Sequence, residues 1–305
     1  MNPFSHALLV AGVTVASSLA SGLWPPPARA QAGLSSASID SLAAAADRGD
    51  AEAQYQYGRL FEIGTDELSI NYETATEWYE RAAEQNHLPA MLSLSTLLLG
   101  PEPAEAMEVV VRAAELGSAE AQWRAGQIYS GRILLPLSGL SLDREAALRW
   151  FTLAANQEHH PSEEALADLY TDTGDGSRYA ESIELYQRAA ESGGSAWAVL
   201  RLGMISAIGE GIEESDVIAW EWFSQLGSTY ALDPDLFSNA DLDVLGGLQA
   251  YYGLNFLGGD AEQDPAAAIE AFNSAIRSSE ELLIRPFIHP SFLRVSRRML
   301  QKLQE

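Results

Sequence analysis

Bulky and small residues alternate along the chain at the spacing of a helix face. The phrase "EWYERAAE" at residues 77–84 returns as "LRWFTLAAN" at 148–156 and as "IELYQRAAE" at 183–191. In each copy a small residue lies three positions before the first bulky side chain, and two alanines follow it. Positions three and four apart share one face of a helix. The pattern therefore predicts amphipathic helices whose small positions let a neighbouring helix approach closely.

The phrase repeats through most of the chain at intervals of 31, 41, 35, 37 and 49 residues. Its anchor position falls on Trp78, Val109, Trp150, Leu185, Trp222 and Ala271. Periods in this range are typical of stacked helix pairs, which bury a continuous core only by packing on their neighbours. We predict an all-α fold, a right-handed α-solenoid of about six helix pairs with capping helices.

A second helical pattern precedes each phrase, and it carries a small residue at one fixed position. Glycine inside a helix costs about 1 kcal/mol relative to alanine, so its repeated use predicts close contact with the partner helix of the same pair. We interpret the stripe as core rather than as a binding face. The predicted core anchors are Trp78, Tyr79, Trp150, Phe151, Tyr186, Trp222, Phe223 and Phe272, together with Gly58, Gly126, Gly203 and Gly253.

Two long segments resemble a known repeat family. "DAEAQYQYGRLFEIG…NYETATEWYERAAE" and "SAEAQWRAGQIYSGR…LDREAALRWFTLAAN" are similar to Sel-one-like repeats, which are relatives of the tetratricopeptide repeat. "GEGIEESDVIAWEWF" at residues 209–223 also fits the pattern, and the resemblance covers roughly residues 42–280. It implies a helical-pair scaffold. It also implies the roles of that family, which include adaptors in membrane-associated complexes and regulators in the cell envelope.

The ends of the chain have different compositions from the repeats. Residues 1–30 contain a moderately apolar stretch and a small-x-small motif ending at Ala30, which predicts a secretory signal peptide cleaved after that residue. An uncleaved anchor is the alternative, and both place the body in the periplasm or outside the cell. We expect residues 31–37 to be disordered, and a solenoid over residues 38–280 that opens with a capping helix. Its units are roughly 51–85, 88–116, 119–156, 161–192, 195–227 and 240–279, with an insertion at 228–245.

The charge of the chain restricts the class of partner. Lys and Arg number 18 against 43 Asp and Glu, so the formal net charge is −25. A surface this acidic repels phosphate backbones, which excludes nucleic acid as the expected partner. The chain has no cysteine, which excludes disulfides, thiolate nucleophiles and sulfur-ligated metals. A protein or peptide partner with a basic segment is the expectation that remains.

The last 21 residues reverse this charge. Residues 285–305 have a net charge of +4, whereas residues 31–284 have a net charge of −30. The segment predicts an amphipathic helix with apolar residues on one side and Arg294, Arg297, Arg298 and Lys302 on the other. It is either a terminal cap whose cations face the acidic body or a docking helix for a partner or an anionic membrane. On the docking interpretation the four cations are partner-binding residues.

A search for catalytic motifs yields no candidate residue. The one lysine, Lys302, follows no glycine-rich loop, and the nucleophile-elbow and zinc-protease motifs are absent. His159 and His160 in "EHHPSEE" are adjacent and diverge on any regular element, so we interpret them as part of a turn between repeats. Asn239, Asp241 and Asp243 have calcium-loop spacing, but Val244 and Ala250 replace the required glycine and glutamate. We predict no catalytic residue, no cofactor and no metal.

The leading hypothesis is a secreted or periplasmic scaffold that binds a protein or peptide through a concave acidic surface. A permanent structural subunit of an envelope assembly is the first alternative, and an exposed apolar patch would favour it. An envelope hydrolase that uses a carboxylate pair is the second, and a buried carboxylate with a raised pKa would favour it. Membrane contact is expected only through the C-terminal helix or an uncleaved signal.

Overall fold

The computed structural model describes residues 35–131, 142–172, 176–192, 194–229, 265–281 and 290–304. The chain divides into two compact units, residues 1–150 and residues 151–305, and each is described by itself. The first unit contains α1 (Ser36–Asp47), α2 (Ala51–Ile63), α3 (Tyr72–Glu84), α4 (Leu88–Leu98), α5 (Pro103–Glu115) and α6 (Ala119–Ser130). Helix α7 (Arg144–Ala155) begins in the first unit and ends in the second.

The second unit continues with α8 (His160–Asp172), α9 (Tyr179–Glu191), α10 (Ala196–Ile208), α11 (Asp216–Thr229), α12 (Pro265–Glu281) and α13 (Pro290–Gln304). The described residues contain helices and connections but no strand. Helices that follow one another pack together from α1 to α6, from α8 to α11, and between α12 and α13. The prediction of an all-α fold of the solenoid class is confirmed. Its handedness and its number of helix pairs stay predictions.

The small positions of the recurring phrase lie in the core. Each residue three positions before an anchor is completely buried: Ala75, Ala106, Ala147, Ser182, Ala219 and Ala268. The residue after each anchor is also buried, with 1% or less of its surface exposed: Tyr79, Val110, Phe151, Tyr186, Phe223 and Phe272. Trp78 is 9% exposed, and Trp150 and Trp222 are only partly buried. In the three units whose anchor is tryptophan, the deepest ring is therefore that of the following residue, Tyr79, Phe151 or Phe223.

Glycine in the first helix of a pair allows the second helix to approach closely. A β-carbon built on Gly58 would lie 2.9 Å from Cε1 of Tyr79, and one built on Gly203 would lie 2.4 Å from Cε1 of Phe223. Gly126 occupies the same position in α6 and is buried. Space for the aromatic ring is thus the physical reason for the repeated small residue.

Gly203→Ala should lower the free energy of unfolding by about 1–3 kcal/mol, because overpacking outweighs the better helix propensity of alanine. The urea midpoint of the full chain measures the effect. Gly100→Ala is the matched control, since a β-carbon there meets no atom within 4 Å. Equal midpoints for the two variants would show that the ring of Phe223 does not need this space.

A tight turn connects each pair of helices to the next. One residue with a positive φ angle precedes the residue that caps the following helix. Glycine adopts this angle without strain, as at Gly49 (φ 93°) and Gly117 (φ 94°). In the units without glycine, Asn86 and Glu158 adopt it instead. The side chains of Asp50, His87, Ser118 and Ser195 then accept hydrogen bonds from backbone N–H groups of the next helix.

Two predicted boundaries differ from the structure. Helix α1 begins at Ser36 rather than Ser38, because Ser35 caps it by accepting a hydrogen bond from the Ser38 N–H. The predicted disordered segment, 31–37, is therefore too long at its C-terminal end. The basic helix begins at Pro290, where the fixed φ of proline suits the first helical position. The signal peptide with Ala30, Gly253, the insertion beyond residue 229 and the calcium-like residues Asn239, Asp241 and Asp243 lie outside the described residues.

Candidate functional site

The first helices of three successive pairs, α2, α4 and α6, carry partly buried apolar side chains at one equivalent position. Tyr55, Leu92 and Trp123 each lie three residues before the small residue of their helix, and all three pack against the same core of the first unit. We call these residues, with Glu52, Arg59, His87, Thr96 and Gln127 beside them, the first-helix surface. It combines aromatic rings with charged and amide groups, which is the composition of protein-binding sites.

Direct contacts join the helices of the first-helix surface. The rings of Tyr55 and His87 lie 5.1 Å apart between centroids. His87 Nδ1 accepts a hydrogen bond from the Ala90 N–H at 3.2 Å, and its Nε2 lies 3.0 Å from Glu52 Oε2. Because Nδ1 is an acceptor, the proton of neutral His87 is on Nε2. This N–H group donates a hydrogen bond to Glu52. His87 thus holds the start of α4 against α2.

Arg124 makes the corresponding connection between α6 and α4. Its Nη1 donates to the Leu92 carbonyl and to Thr96 Oγ1, both at 3.2 Å, and its Nε pairs with Glu120 Oε1 at 2.7 Å. Burial lowers the pKa of Arg124, and Glu120 opposes that shift. The guanidinium therefore fixes the spacing of two neighbouring first helices.

Two polar atoms of this surface have no hydrogen-bond partner. They are Arg59 Nε, a donor, and Gln127 Oε1, an acceptor, and both atoms are buried. Both residues directly follow the small residue of their helix, Gly58 in α2 and Gly126 in α6, so they are equivalent by repeat register. An unsatisfied buried polar atom costs about 1–3 kcal/mol. Because both atoms are buried, a ligand bound at the surface would not reach them as they stand.

In the second unit the C-terminal helix lies on an acidic loop. Arg294 Nε is 2.5 Å from Glu210 Oε1, and Arg298 Nη2 is 2.9 Å from Glu214 Oε2. Lys302 Nζ is 2.7 Å from Asp216 Oδ1 and 3.1 Å from Glu214 Oε1. Hydrogen bonds from Arg298 and Lys302 lower the pKa of the Glu214 carboxyl. The three carboxylates lie between the end of α10 and the first residue of α11.

The opposite side of α13 completes the core of the second unit. Val295 and Met299 are completely buried and belong to one cluster with residues of α10, α11 and α12. In the described residues α13 thus covers the core of the second unit, while Arg294, Arg298 and Lys302 pair with acidic residues. Arg297 is exposed. A partner-binding role for Arg294, Arg298 and Lys302 would require these ion pairs to break, and it stays a prediction.

A buried charge network, which the sequence analysis missed, lies deeper in the same unit. Arg201 is completely buried, and its Nε lies 3.5 Å from Asp168 Oδ1 and 3.1 Å from the Tyr186 hydroxyl. Tyr186 donates a hydrogen bond to Asp168, and Trp197 Nε1 donates to the same carboxylate at 3.3 Å. Burial raises the pKa of Tyr186 well above its usual value, so this group is a neutral donor. The carboxylate is fully engaged, and nothing in this arrangement offers it to a substrate.

The histidine-rich segment "EHHPSEE" also has defined contacts. His159 Nδ1 lies 2.8 Å from Ser162 Oγ at the start of α8, and His160 Nδ1 lies 3.0 Å from Glu163 Oε2. Glu163 is buried and pairs with Arg188 Nε at 2.9 Å. Glu163 has the repeat position of Gln54 and Gln122, whose side chains hydrogen-bond to backbone carbonyls. Most of this segment is helical, because α8 begins at His160, and only Glu158 and His159 belong to the connection between two repeats.

Carboxylates cluster on the second helices of the first unit. Burial and the neighbouring Glu77, Glu102 and Glu84 raise the pKa of Glu80, and a hydrogen bond with Glu102 raises that of Glu105. Repulsion between the carboxylates adds to both shifts. Across the described residues, His, Asp and Glu form no group of three or more arranged to hold a metal ion. None of the described helices is long and apolar enough to span a membrane.

The repeat geometry agrees with comparisons with known proteins. The family model described as Sel1 repeat matches residues 51–87, 119–159, 164–194 and 198–227. The chain is a Sel1 repeat protein. Sel1 repeat proteins usually act as scaffolds for protein interactions, and the repeat is typical of non-enzymatic proteins. The Sel1 matches include the acidic loop, but not residues 160–163 of "EHHPSEE" and not the segment at 88–116 that register alone predicts as a unit.

Two solved Sel1-type structures are similar to this chain. One is a protective antigen present in uropathogenic Escherichia coli strains that displays an SLR fold, with 24% identity and a TM-score of 0.58. The match covers 87% of this chain and 56% of the antigen, so the chain spans little more than half of that protein's length. The other is a Sel1 repeat protein from Oxalobacter formigenes, with 21% identity, a TM-score of 0.55, and coverage of 87% and 69%. At these identities the likeness shows the fold.

Proposed function

We propose that this Sel1 repeat protein is a periplasmic or secreted adaptor that binds a protein or peptide partner across the first-helix surface. One observation carries the proposal: Tyr55, Leu92 and Trp123 occupy one equivalent position on three adjacent first helices and stay partly exposed. Aromatic side chains contribute disproportionately to binding energy at protein interfaces. An equivalent position repeated on adjacent helices suits a partner that extends across several repeats.

The charge of the first unit indicates the chemistry of the partner. Residues 35–131 carry 16 acidic and 5 basic residues, a net charge of −11, so a basic segment is favoured. Such attraction is screened within about 8 Å at physiological ionic strength, so binding should weaken as salt is added.

The location follows from the sequence of the first 30 residues, whose pattern is that of a cleaved secretory signal. In bacteria, Sel1 repeat proteins are often secreted or periplasmic. Assembly of an envelope complex is the role that fits an adaptor in that compartment. The sequence lacks the nucleophile-elbow and zinc-protease motifs, and the carboxylate of Asp168 is already hydrogen-bonded within the protein. Neither observation favours a hydrolase.

Site-specific photocrosslinking in the native envelope tests the proposal. A photoreactive phenylalanine analogue at position 55 or 123 should give adducts with one discrete protein, and the adducts should decrease at 0.5 M salt. Tyr72 is the matched control, because it is an exposed tyrosine at the start of α3, which is the second helix of its pair. The absence of adducts from positions 55 and 123, or the same adducts from position 72, would rule out the first-helix surface.

One observation favours the alternative of a permanent structural subunit. Val217 and Trp220 on α11 are 68% and 42% exposed, and they lie three residues apart on one helical face. Contact through an apolar patch buries surface without depending on charge, so it should withstand salt. Crosslinks from position 217 that persist at 0.5 M salt, with none from position 55, would support this alternative.

A further inference from the structure

The contacts of α13 follow a strict sequence pattern. Arg294, Arg298 and Lys302 are spaced four residues apart, and each is followed directly by an apolar residue, Val295, Met299 or Leu303. The cations pair with Glu210, Glu214 and Asp216, whereas the apolar residues pack on the core cluster of the second unit. Lys302 Nζ also donates to the Ala207 carbonyl at 3.2 Å, near the C-terminal end of α10. We call the surface that α13 contacts the α13 socket. It consists of Glu210, Glu214 and Asp216 and of the α10 and α12 residues of that core cluster.

The ion pairs of α13 differ in exposure: the side chains of Glu210 and Lys302 are only 12% and 11% exposed, whereas their neighbours are more open. The Arg298–Glu214 pair has both side chains about one-third exposed, and Asp216 is half exposed. Ion pairs with this exposure contribute little net stability and weaken with salt. Val295 and Met299 provide the fully buried apolar contacts of the helix within its described residues. The charges of the socket therefore match those of a basic helix. Few fully buried apolar side chains hold α13 in the socket.

We propose that the α13 socket is a second docking site, for a basic amphipathic helix of a partner protein, which α13 fills until the partner displaces it. The partner helix carries three basic–apolar pairs at four-residue spacing, as α13 does. Charge complementarity carries the assignment, because the socket presents three carboxylates in register with cations at that spacing. The site is separate from the first-helix surface, so either proposal can fail without the other.

The test uses the full chain and a fluorescent synthetic peptide with the sequence of residues 290–304. Arg298→Glu with Lys302→Glu weakens the hold on α13 and leaves the socket residues unchanged. This variant should bind the peptide at least ten-fold more tightly than the unaltered chain does, by fluorescence anisotropy. Adding Glu210→Gln, Glu214→Gln and Asp216→Asn should lower the affinity at least ten-fold again. A control peptide with glutamine in place of Arg294, Arg298 and Lys302 should not bind.

A second measurement needs no variant. A saturating excess of the peptide, isotopically labelled so that its mass differs, should speed deuterium uptake by α13 in the unaltered chain. Unchanged uptake, equal binding of the glutamine peptide, or a folded double variant that does not bind the peptide would each overturn the proposal. Binding of the unaltered chain to anionic phosphatidylglycerol vesicles without any binding of the peptide would assign α13 to lipid and would overturn it as well.

Discussion

Asp168→Ala should lower the free energy of unfolding by about 3–5 kcal/mol, because it leaves the buried charge of Arg201 without its carboxylate. Arg201 and Asp168 are 0% and 1% exposed, so water cannot replace the lost partner. Tyr186 and Trp197 would lose their acceptor in the same substitution. Urea unfolding followed by circular dichroism measures the loss as a lower midpoint of the second unit.

Two further variants make this prediction specific. Asp168→Leu, Arg201→Met and Tyr186→Phe together remove the network and keep apolar volume, so this triple variant should regain most of the lost stability. Glu181→Ala removes the exposed Arg178–Glu181 pair and should change stability by no more than about 1 kcal/mol. Equal losses for the single and triple variants would mean that packing, and not the unpaired charge, determines the cost.

Phe151→Ala should lower the free energy of unfolding by about 3–5 kcal/mol, since its ring is completely buried. The sequence pattern makes Trp150 the anchor of this repeat. The structure leaves Trp150 partly exposed, so we expect Trp150→Ala to cost less, about 1–3 kcal/mol. Chemical denaturation of the two variants side by side measures the order.

Leu153→Ala is the control for this pair, because Leu153 lies on the same helix and is 47% exposed. Its effect should stay within about 0.5 kcal/mol of zero. A larger loss for Trp150→Ala than for Phe151→Ala would show that the tryptophan is the principal core ring. The sequence register would then describe the packing better than the burial of the two side chains does.

The repeat register was predictable because it depends on local spacing. The small residue before each anchor and the small residue of each described first helix follow from helix periodicity, and both lie where the pattern places them, as Gly58 and Ala75 show. The relative depth of Trp150 and Phe151 was not predictable. Two neighbouring residues on a helix differ by about 100° in direction, and both directions are compatible with an apolar stripe.

The long-range polar contacts could not be predicted from the sequence for a different reason. Asp168 and Arg201 are 33 positions apart, and in a chain with 43 acidic residues no single carboxylate stands out. A buried arginine in an apolar helix, "AWAVLRLGMISAI", was the available signal. The position of α13 was open between cap and docking helix because its pattern suits either role. The contacts with Glu210, Glu214 and Asp216 and the burial of Val295 and Met299 favour the cap.

The connections between helices differ in length according to their place in the repeat. Links from one pair to the next, from α1 through α10, contain three or four residues, whereas those inside a pair contain four to thirteen. A link of three or four residues that includes one left-handed residue fixes how the next helix is oriented. An added residue there would rotate the helix that follows about its axis. The loops inside the pairs already differ in length from one unit to the next, so an added residue is easier to accommodate there. Lineages of this protein can therefore diversify, and engineers can insert tags, inside the pairs without disturbing the stacking step.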